Sequence, residues 1–260
     1  MGAAPGGLTV SLAGFQRAMR DIAASPALGA AVLRDPAGSL AAYPLSEREV
    51  RRLADAAGQR GMRVNRMLYR SNRMSPVASQ LRHTCIALGG RLREVADGFW
   101  AESPMLERNA PREVRGFAAY LRRWLPASGA DPVVGEVLAW EMACYELGLL
   151  PPGRLLAEVA AAAARAAADA PLRPHPLVAV ARFGTDPAAV IDALVARRPP
   201  PYPGAAHGDY ALLVDYRVEP RTMGLIPIPL ADAFARLREG GAPEAGEAEE
   251  LLALGIAVRG

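Results

Sequence analysis

The chain has 260 residues, room for one large domain or two small ones, and its 51% apolar content with 6% aromatics fits an ordinary globular protein. All thirty basic residues are arginine, which excludes a phosphate-binding P-loop lysine and any Schiff-base chemistry. The net charge of +3 is unevenly spread: residues 46–123 hold sixteen arginines against eight acids, and the remainder is acidic.

No apolar run approaches the roughly 18 residues that a transmembrane helix needs. The opening "MGAAPGGLTVSLAGF" has neither a basic n-region nor a long apolar core, so no signal peptide is expected and the cytoplasm is the expected compartment. Cys85 and Cys144 are far apart in sequence and belong to no C-x-x-C pattern, which reads as two buried free thiols and not as a disulfide or metal pair.

In chain order, Leu12, Phe15, Met19 and Ile22 fall at helical spacing up to a break at Ser25-Pro26. Ser25 then caps a short helix that ends before Pro36. Ser46 and Glu49 form an S-x-x-E capping box, opening a helix that Gly61 is expected to end. Leu81, Cys85, Leu88, Leu92, Val95 and Phe99 step by four and three, which predicts one sustained helix to Trp100. Pro111 opens another with Val114, Phe117, Leu121 and Leu125 on one face. Val133 to Leu149 and the alanine-rich Arg154 to Ala168 complete the helical part.

Beyond about residue 172 the pattern changes. Residues 174–183, "PHPLVAVARF", are β-branched and bounded by prolines, and read as a strand. A helix capped by Asp186 follows, then a proline-rich loop, then a strand in "DYALLVDYRV" with Tyr210, Leu212, Val214 and Tyr216 on one face. "TMGLIPI" pairs with it, "PLADAFARLREGG" is a helix, and "EAEELLALGIAVRG" a last helix with a short tail. The fold class is therefore α+β: an N-terminal all-helical bundle, residues 1–172, and a smaller unit with a short antiparallel sheet, residues 173–260.

Catalytic and metal constellations are missing from the pattern. His83, His175 and His207 form no H-x-x-x-H pair, and no E-x-x-H, G-x-S-x-G or G-x-G-x-x-G occurs. Glu136, Glu141 and Glu146 step by five, which scatters them around their helix. Asp209 and Asp215 flank a strand, where solvation explains them. No catalytic residue, metal ligand or cofactor is assigned to this chain.

Binding remains. "RMLYRSNRMSPVASQLRHTC", residues 66–85, sets Arg66, Arg70, Arg73 and Arg82 among tyrosine, methionine and asparagine. Three readings compete: a nucleic-acid surface, a protein-docking surface, and a solvated or internal polar network. Docking is favoured, because arginine with tyrosine and methionine is the composition of interface anchors. Its candidate residues are Tyr69, Arg70, Asn72 and Arg73.

The same residues carry a family resemblance. "SLAGFQRAMRDI" resembles the opening L-x-x-F-Q helix, "LYRSNR" with the long segment to "GFW" resembles the L-Y-R-x-N-R hallmark, and "REVRGFAAYLRRW" is similar to the next element. These patterns are similar to those of a family often labelled DNA-binding, whose members are partner subunits of multinuclear non-heme iron oxidases that modify ribosomally made peptides. The methanobactin-pathway partner and the partner of thiaglutamate-type pathways are examples.

The resemblance implies that the C-terminal unit is a winged-helix-like peptide-recognition element that takes a leader peptide as an added strand. It further implies a non-catalytic subunit of a heterodimer, with iron only in the partner enzyme. The expected partners are that oxidase and a precursor peptide, with no membrane, and with nucleic acid disfavoured. Peptide-contacting candidates are Tyr210, Leu212, Val214, Gly224, Leu225, Ile226, Phe234 and Leu237. The competing expectation is a DNA-binding transcriptional regulator with a winged-helix-like C-terminal unit.

Overall fold

The computed structural model describes residues 6–103, 109–167 and 170–260. Its elements are α1 (Gly6–Ala24), α2 (Pro26–Arg34), α3 (Pro36–Leu40), α4 (Glu47–Gly58), α5 (Arg60–Gln80), α6 (Arg82–Leu88), α7 (Leu92–Glu102), α8 (Ala110–Ser128), α9 (Val133–Gly148) and α10 (Pro152–Arg165). Then follow β1 (Leu172–Pro174), β2 (Val178–Thr185), α11 (Pro187–Val195), β3 (His207–Asp215), β4 (Thr222–Ile226), α12 (Ile228–Arg238), α13 (Ala245–Ala253) and β5 (Ala257–Arg259). The protein is α+β and dominated by helix.

Local chemistry sets several helix starts. Ser25 accepts the Leu28 N–H at 3.1 Å, and Pro26 fixes the first turn of α2. Asp35 closes α2 and opens α3 by accepting the Gly38 N–H at 3.0 Å, so Pro36 starts a further short helix that periodicity alone does not reveal. The Ser46–Glu49 capping box is present on α4. That helix ends at Gly58, and Gly61 sits inside α5.

The stretch 60–80 is one helix that continues through Pro76. One further expectation is corrected. The face from Leu81 to Phe99 is interrupted: a single 3-10 turn, Gly89–Arg91, separates α6 from α7. Gly89 there takes φ +50 and ψ −128, a backbone state closed to residues with a Cβ. The expected end of the alanine-rich helix, Ala168, lies outside the described residues.

The chain divides into two compact units, Met1–Val77 with Ala96–Gly116, and Ala78–Val95 with Phe117–Gly260. This division does not coincide with the compositional change at residue 172. In the first unit, Ile22, Val32, Leu40, Leu53 and Met62 from α1 to α5 form the core.

In the second unit β2, β3 and β4 make an antiparallel sheet with β3 in the centre, and β1 pairs with β5 as a separate two-stranded ribbon. The strand expected over 174–183 is β2, which begins only at Val178, while Pro174 ends β1 with a different partner, and the expected tail is β5. Register places Phe183, Ala181 and Ala179 of β2 opposite Tyr210, Leu212 and Val214 of β3, all on one face. α9 covers that face: Trp140 Nε1 donates to Met223 Sδ at 3.3 Å, and Tyr216 Oη donates to the Cys144 carbonyl at 2.9 Å. The opposite face, with Val180 and Leu213, packs on Phe234 and Leu237 of α12 and on Leu251 and Ile256. One sheet is therefore held between two helical layers.

Candidate functional site

The arginine-rich helix α5 turns three of its cations inward. Arg73 is 2% exposed. Its Nε and Nη2 donate to the two carboxylate oxygens of Glu113 at 3.0 and 3.1 Å, the planar fork geometry peculiar to arginine. The rings of Tyr69, Phe99 and Trp100 surround the guanidinium at 5.9, 5.3 and 5.8 Å. Arg70, three residues earlier and just under one turn away, pairs with Asp97 and lies 5.1 Å from the Trp100 ring centroid. Arg66 donates to the Ala57 carbonyl at the end of α4, at 3.2 Å.

This is the internal-network reading of the hallmark, and it corrects Arg73 as a surface contact. Tyr69 and Arg70 are half-buried in the same cluster, and only Asn72 of the four docking candidates is exposed. The outward side of α5 instead carries Val64, Met67 and Leu68, exposed to 44%, 64% and 52%. Sequence composition registers the arginines but not the direction in which each points.

The peptide-contacting candidates separate by layer. Leu212 and Val214 are buried under α9, and Phe234 and Leu237 are buried on the α12 side, so these four are core residues and not a groove surface. Tyr210 and Ile226 are half-buried. Gly224 and Leu225 are exposed on β4, an edge strand.

Hydrogen-bond parity identifies the free edge. Tyr216 N–H donates to the Leu177 carbonyl, so odd-numbered residues of β2 bond β3 and even-numbered ones face outward. Carried across β3, the alternation directs Thr222, Gly224 and Ile226 to β3 and the backbone groups of Met223 and Leu225 to the outer edge of β4. Both side chains are also more than half exposed. Met223 was not among the sequence candidates. Its signal is the alternation of β4 itself once the pairing is known.

The three scattered glutamates of α9 each have a separate task. Glu141 accepts the backbone N–H groups of His83 and Thr84 at 2.8 and 2.7 Å, capping α6, whose own N-cap Leu81 has no capping side chain. The His83 ring also meets this carboxylate, at 2.9 Å. Glu136 accepts the Gly184 N–H at 2.9 Å on the outer edge of β2, and burial pushes its carboxyl above the usual range. Glu146 lines a cavity described below.

Cys85 and Cys144 are free. Burial pushes the Cys85 thiol up to about 12 and the Cys144 thiol to about 11, so both stay protonated and poorly nucleophilic. Asp215 is held by Arg217, while Asp209 is exposed, so the two do not form a carboxylate pair. Among the described residues no group of three or more histidine, cysteine or acidic side chains is placed to hold a metal ion, and no helix is long and apolar enough to cross a membrane. Comparison with family models, with curated proteins and with solved structures finds no match.

Proposed function

We propose that the chain is a non-catalytic partner protein that binds the leader of a ribosomally made precursor peptide and presents the core of that peptide to a multinuclear non-heme iron oxidase in the cytoplasm. The observation that carries this reading is the outer edge of β4. At two successive outward-bonding positions there, Met223 and Leu225, backbone donors and acceptors are open among the described residues, beside exposed apolar side chains. An added peptide strand gains affinity from the backbone and selectivity from the alternate side chains. Pro227, directly after β4, limits pairing at that end. Holding the peptide on one protein while the metals sit on another makes the encounter of substrate and metal effectively intramolecular.

The "LYRSNR" hallmark supports the family resemblance, with a structural role for Arg73 in place of a direct contact. The exposed Val64–Met67–Leu68 stripe next to it is the better candidate for the oxidase contact. The DNA-binding alternative loses weight, because Arg66, Arg70 and Arg73 are engaged within the protein and so are poorly placed to neutralise phosphates.

The test is a titration of the full chain with the synthetic leader peptide of a candidate precursor, followed by amide hydrogen exchange. Binding should slow exchange at Met223 and Leu225. Leu225→Pro removes an outward N–H without removing a β3–β4 bond, and should weaken binding about tenfold, the value of roughly one hydrogen-bonded contact. Unchanged affinity in this folded variant, or protection confined to α1–α5, would move the peptide site off the sheet.

A further inference from the structure

A cavity of about 580 Å³ opens in the second unit between the C-terminal half of α9 and the Val178–Val180 stretch of β2. That volume is in the range of small-molecule sites, roughly 300–1,000 Å³. Its bed is apolar, built from Met142, Ala143 and Leu147 of α9 and from Val178. The polar groups that line it come from four places in the chain: Arg122 of α8, Glu146 of α9, His175 in the β1–β2 connection and Arg238 at the end of α12.

Their hydrogen-bonding state is informative. His175 is only 5% exposed. Its Nδ1 accepts the Leu177 N–H at 3.2 Å, which places the ring proton on Nε2 and makes that nitrogen a donor. Burial, with the nearby Arg217 charge, lowers the basicity of the ring, so it is a neutral donor at physiological pH. Among the described residues no group accepts the Nε2 proton.

Among the described residues Arg122 and Arg238 likewise form no ion pair, although Arg73, Arg182, Arg217 and Arg236 all do. β2 is an edge strand, and Val180 is one of its outward-bonding residues, so its N–H is not used by β3. Two guanidiniums, one buried imidazole and the outer edge of β2 line the cavity together with one carboxylate, Glu146, over an apolar bed. The site is rich in donors, positive in balance and greasy below. That combination complements an anion with an apolar body, and it matches neither a cation nor a neutral hydrocarbon.

We infer that this cavity is a binding site for a carboxylate borne on an apolar chain, with the carboxylate held by Arg122, Arg238 and the His175 N–H, and the chain lying on Met142 and Ala143. The inference stands apart from the peptide-partner reading, since it uses neither β4 nor the hallmark. The carboxylate has two sources, a free amphiphilic acid or an acidic side chain within an extended apolar peptide, and both present the same group.

The experiment is calorimetric titration of the full chain with octanoate, with octanamide as the uncharged analogue of the same shape. Octanoate should bind saturably at one site per chain, and octanamide at least tenfold more weakly. Arg122→Gln and Arg238→Gln change exposed side chains, so the fold is retained, and each should weaken octanoate severalfold. Ala143→Trp fills the bed and should abolish binding, with the thermal melt confirming that the variant is folded.

A second arm adds the acetylated, amidated peptide Ala-Val-Glu-Val-Ala to the octanoate complex. Displacement assigns the carboxylate to a peptide, and persistence of the complex assigns it to a free acid. No saturable heat with millimolar octanoate, equal binding of octanamide, or octanoate affinity unchanged in both arginine variants would overturn the inference.

Discussion

Arg73 shows how one side chain can decide between two readings of a motif. A guanidinium with 2% exposure, bidentate on Glu113 and enclosed by Tyr69, Phe99 and Trp100, is far from water on every side. Taking both charges out of water is costly, and the geometry recovers that cost only while the pair is complete. Arg73→Ala should therefore destabilise the protein by about 3–5 kcal/mol, because it leaves a buried carboxylate without its partner. The double variant Arg73→Met, Glu113→Leu removes both charges and should recover most of the loss. Urea unfolding of the three proteins measures this. A single variant as stable as the wild type would return Arg73 to the surface-contact reading.

At the scale of elements, the last turns of the chain hang on Arg217. It follows β3, where its backbone N–H and its Nε both bond Asp215 Oδ1, at 2.8 and 2.9 Å. Its Nη1 reaches the Leu254 carbonyl at 3.1 Å, and also the Gly255 carbonyl, at the turn from α13 into β5. One side chain thus ties the central strand to the terminal ribbon, and Arg217→Ala should cost about 2–3 kcal/mol, the range for hydrogen bonds to charged groups.

Asp215 gives the pH signature of the same clamp. Burial alone would push its carboxyl up, yet the Arg217 hydrogen bonds and charge outweigh burial and hold it below the ordinary 3.8. A depressed folded value means that the stabilisation is complete above the unfolded pKa and is lost as pH falls through the folded one. Stability should fall below about pH 4 more steeply in the wild type than in Asp215→Asn, as thermal melts across that range would record. Equal acid limbs in the two proteins would remove Asp215 from the clamp.

The break at Gly89 belongs to this scale too. Its φ of +50 with ψ of −128 makes Gly89→Ala a loss of about 1–3 kcal/mol, read in the same urea assay. What was legible in the sequence follows from the same features. Caps are local chemistry, so Ser25, Ser46 with Glu49, and Asp186 marked true helix starts. Three-residue strands such as β1 and β5 are too short for any period, and pairing between residues 172 and 259 has no local signal. Periodicity ran straight through Gly89-Gly90 because the apolar face is resumed after the break. The site was legible only as composition: arginine content flagged α5, whereas inward orientation depends on Glu113 and Asp97 from helices far along the chain.

At the scale of the whole molecule, the change of pattern near residue 172 separates kinds of secondary structure without separating folding units. The face of the sheet formed by Ala179, Ala181, Phe183, Leu212 and Val214 is buried, and α9, which precedes the change, is the element lying on it. Glu136 of the same helix also takes the outward N–H of Gly184, so α9 serves the β2 edge as well as the sheet face. A fragment of residues 172–260 would keep α12 and α13 on one side and expose this apolar face on the other, a patch of the kind that soluble monomers avoid. It should fail to melt cooperatively, bind a hydrophobic dye and aggregate. A fragment of residues 78–260 contains every element of the second unit and should give a cooperative thermal transition. The contrast also bears on peptide binding, because β4 is held by its pairing with β3 and by the Trp140–Met223 contact from α9. Strand addition should therefore be measurable with residues 78–260 and absent with 172–260. If the shorter fragment melts cooperatively and binds the leader peptide with the affinity of the full chain, then α9 is dispensable and the sheet with its two C-terminal helices is a self-sufficient unit.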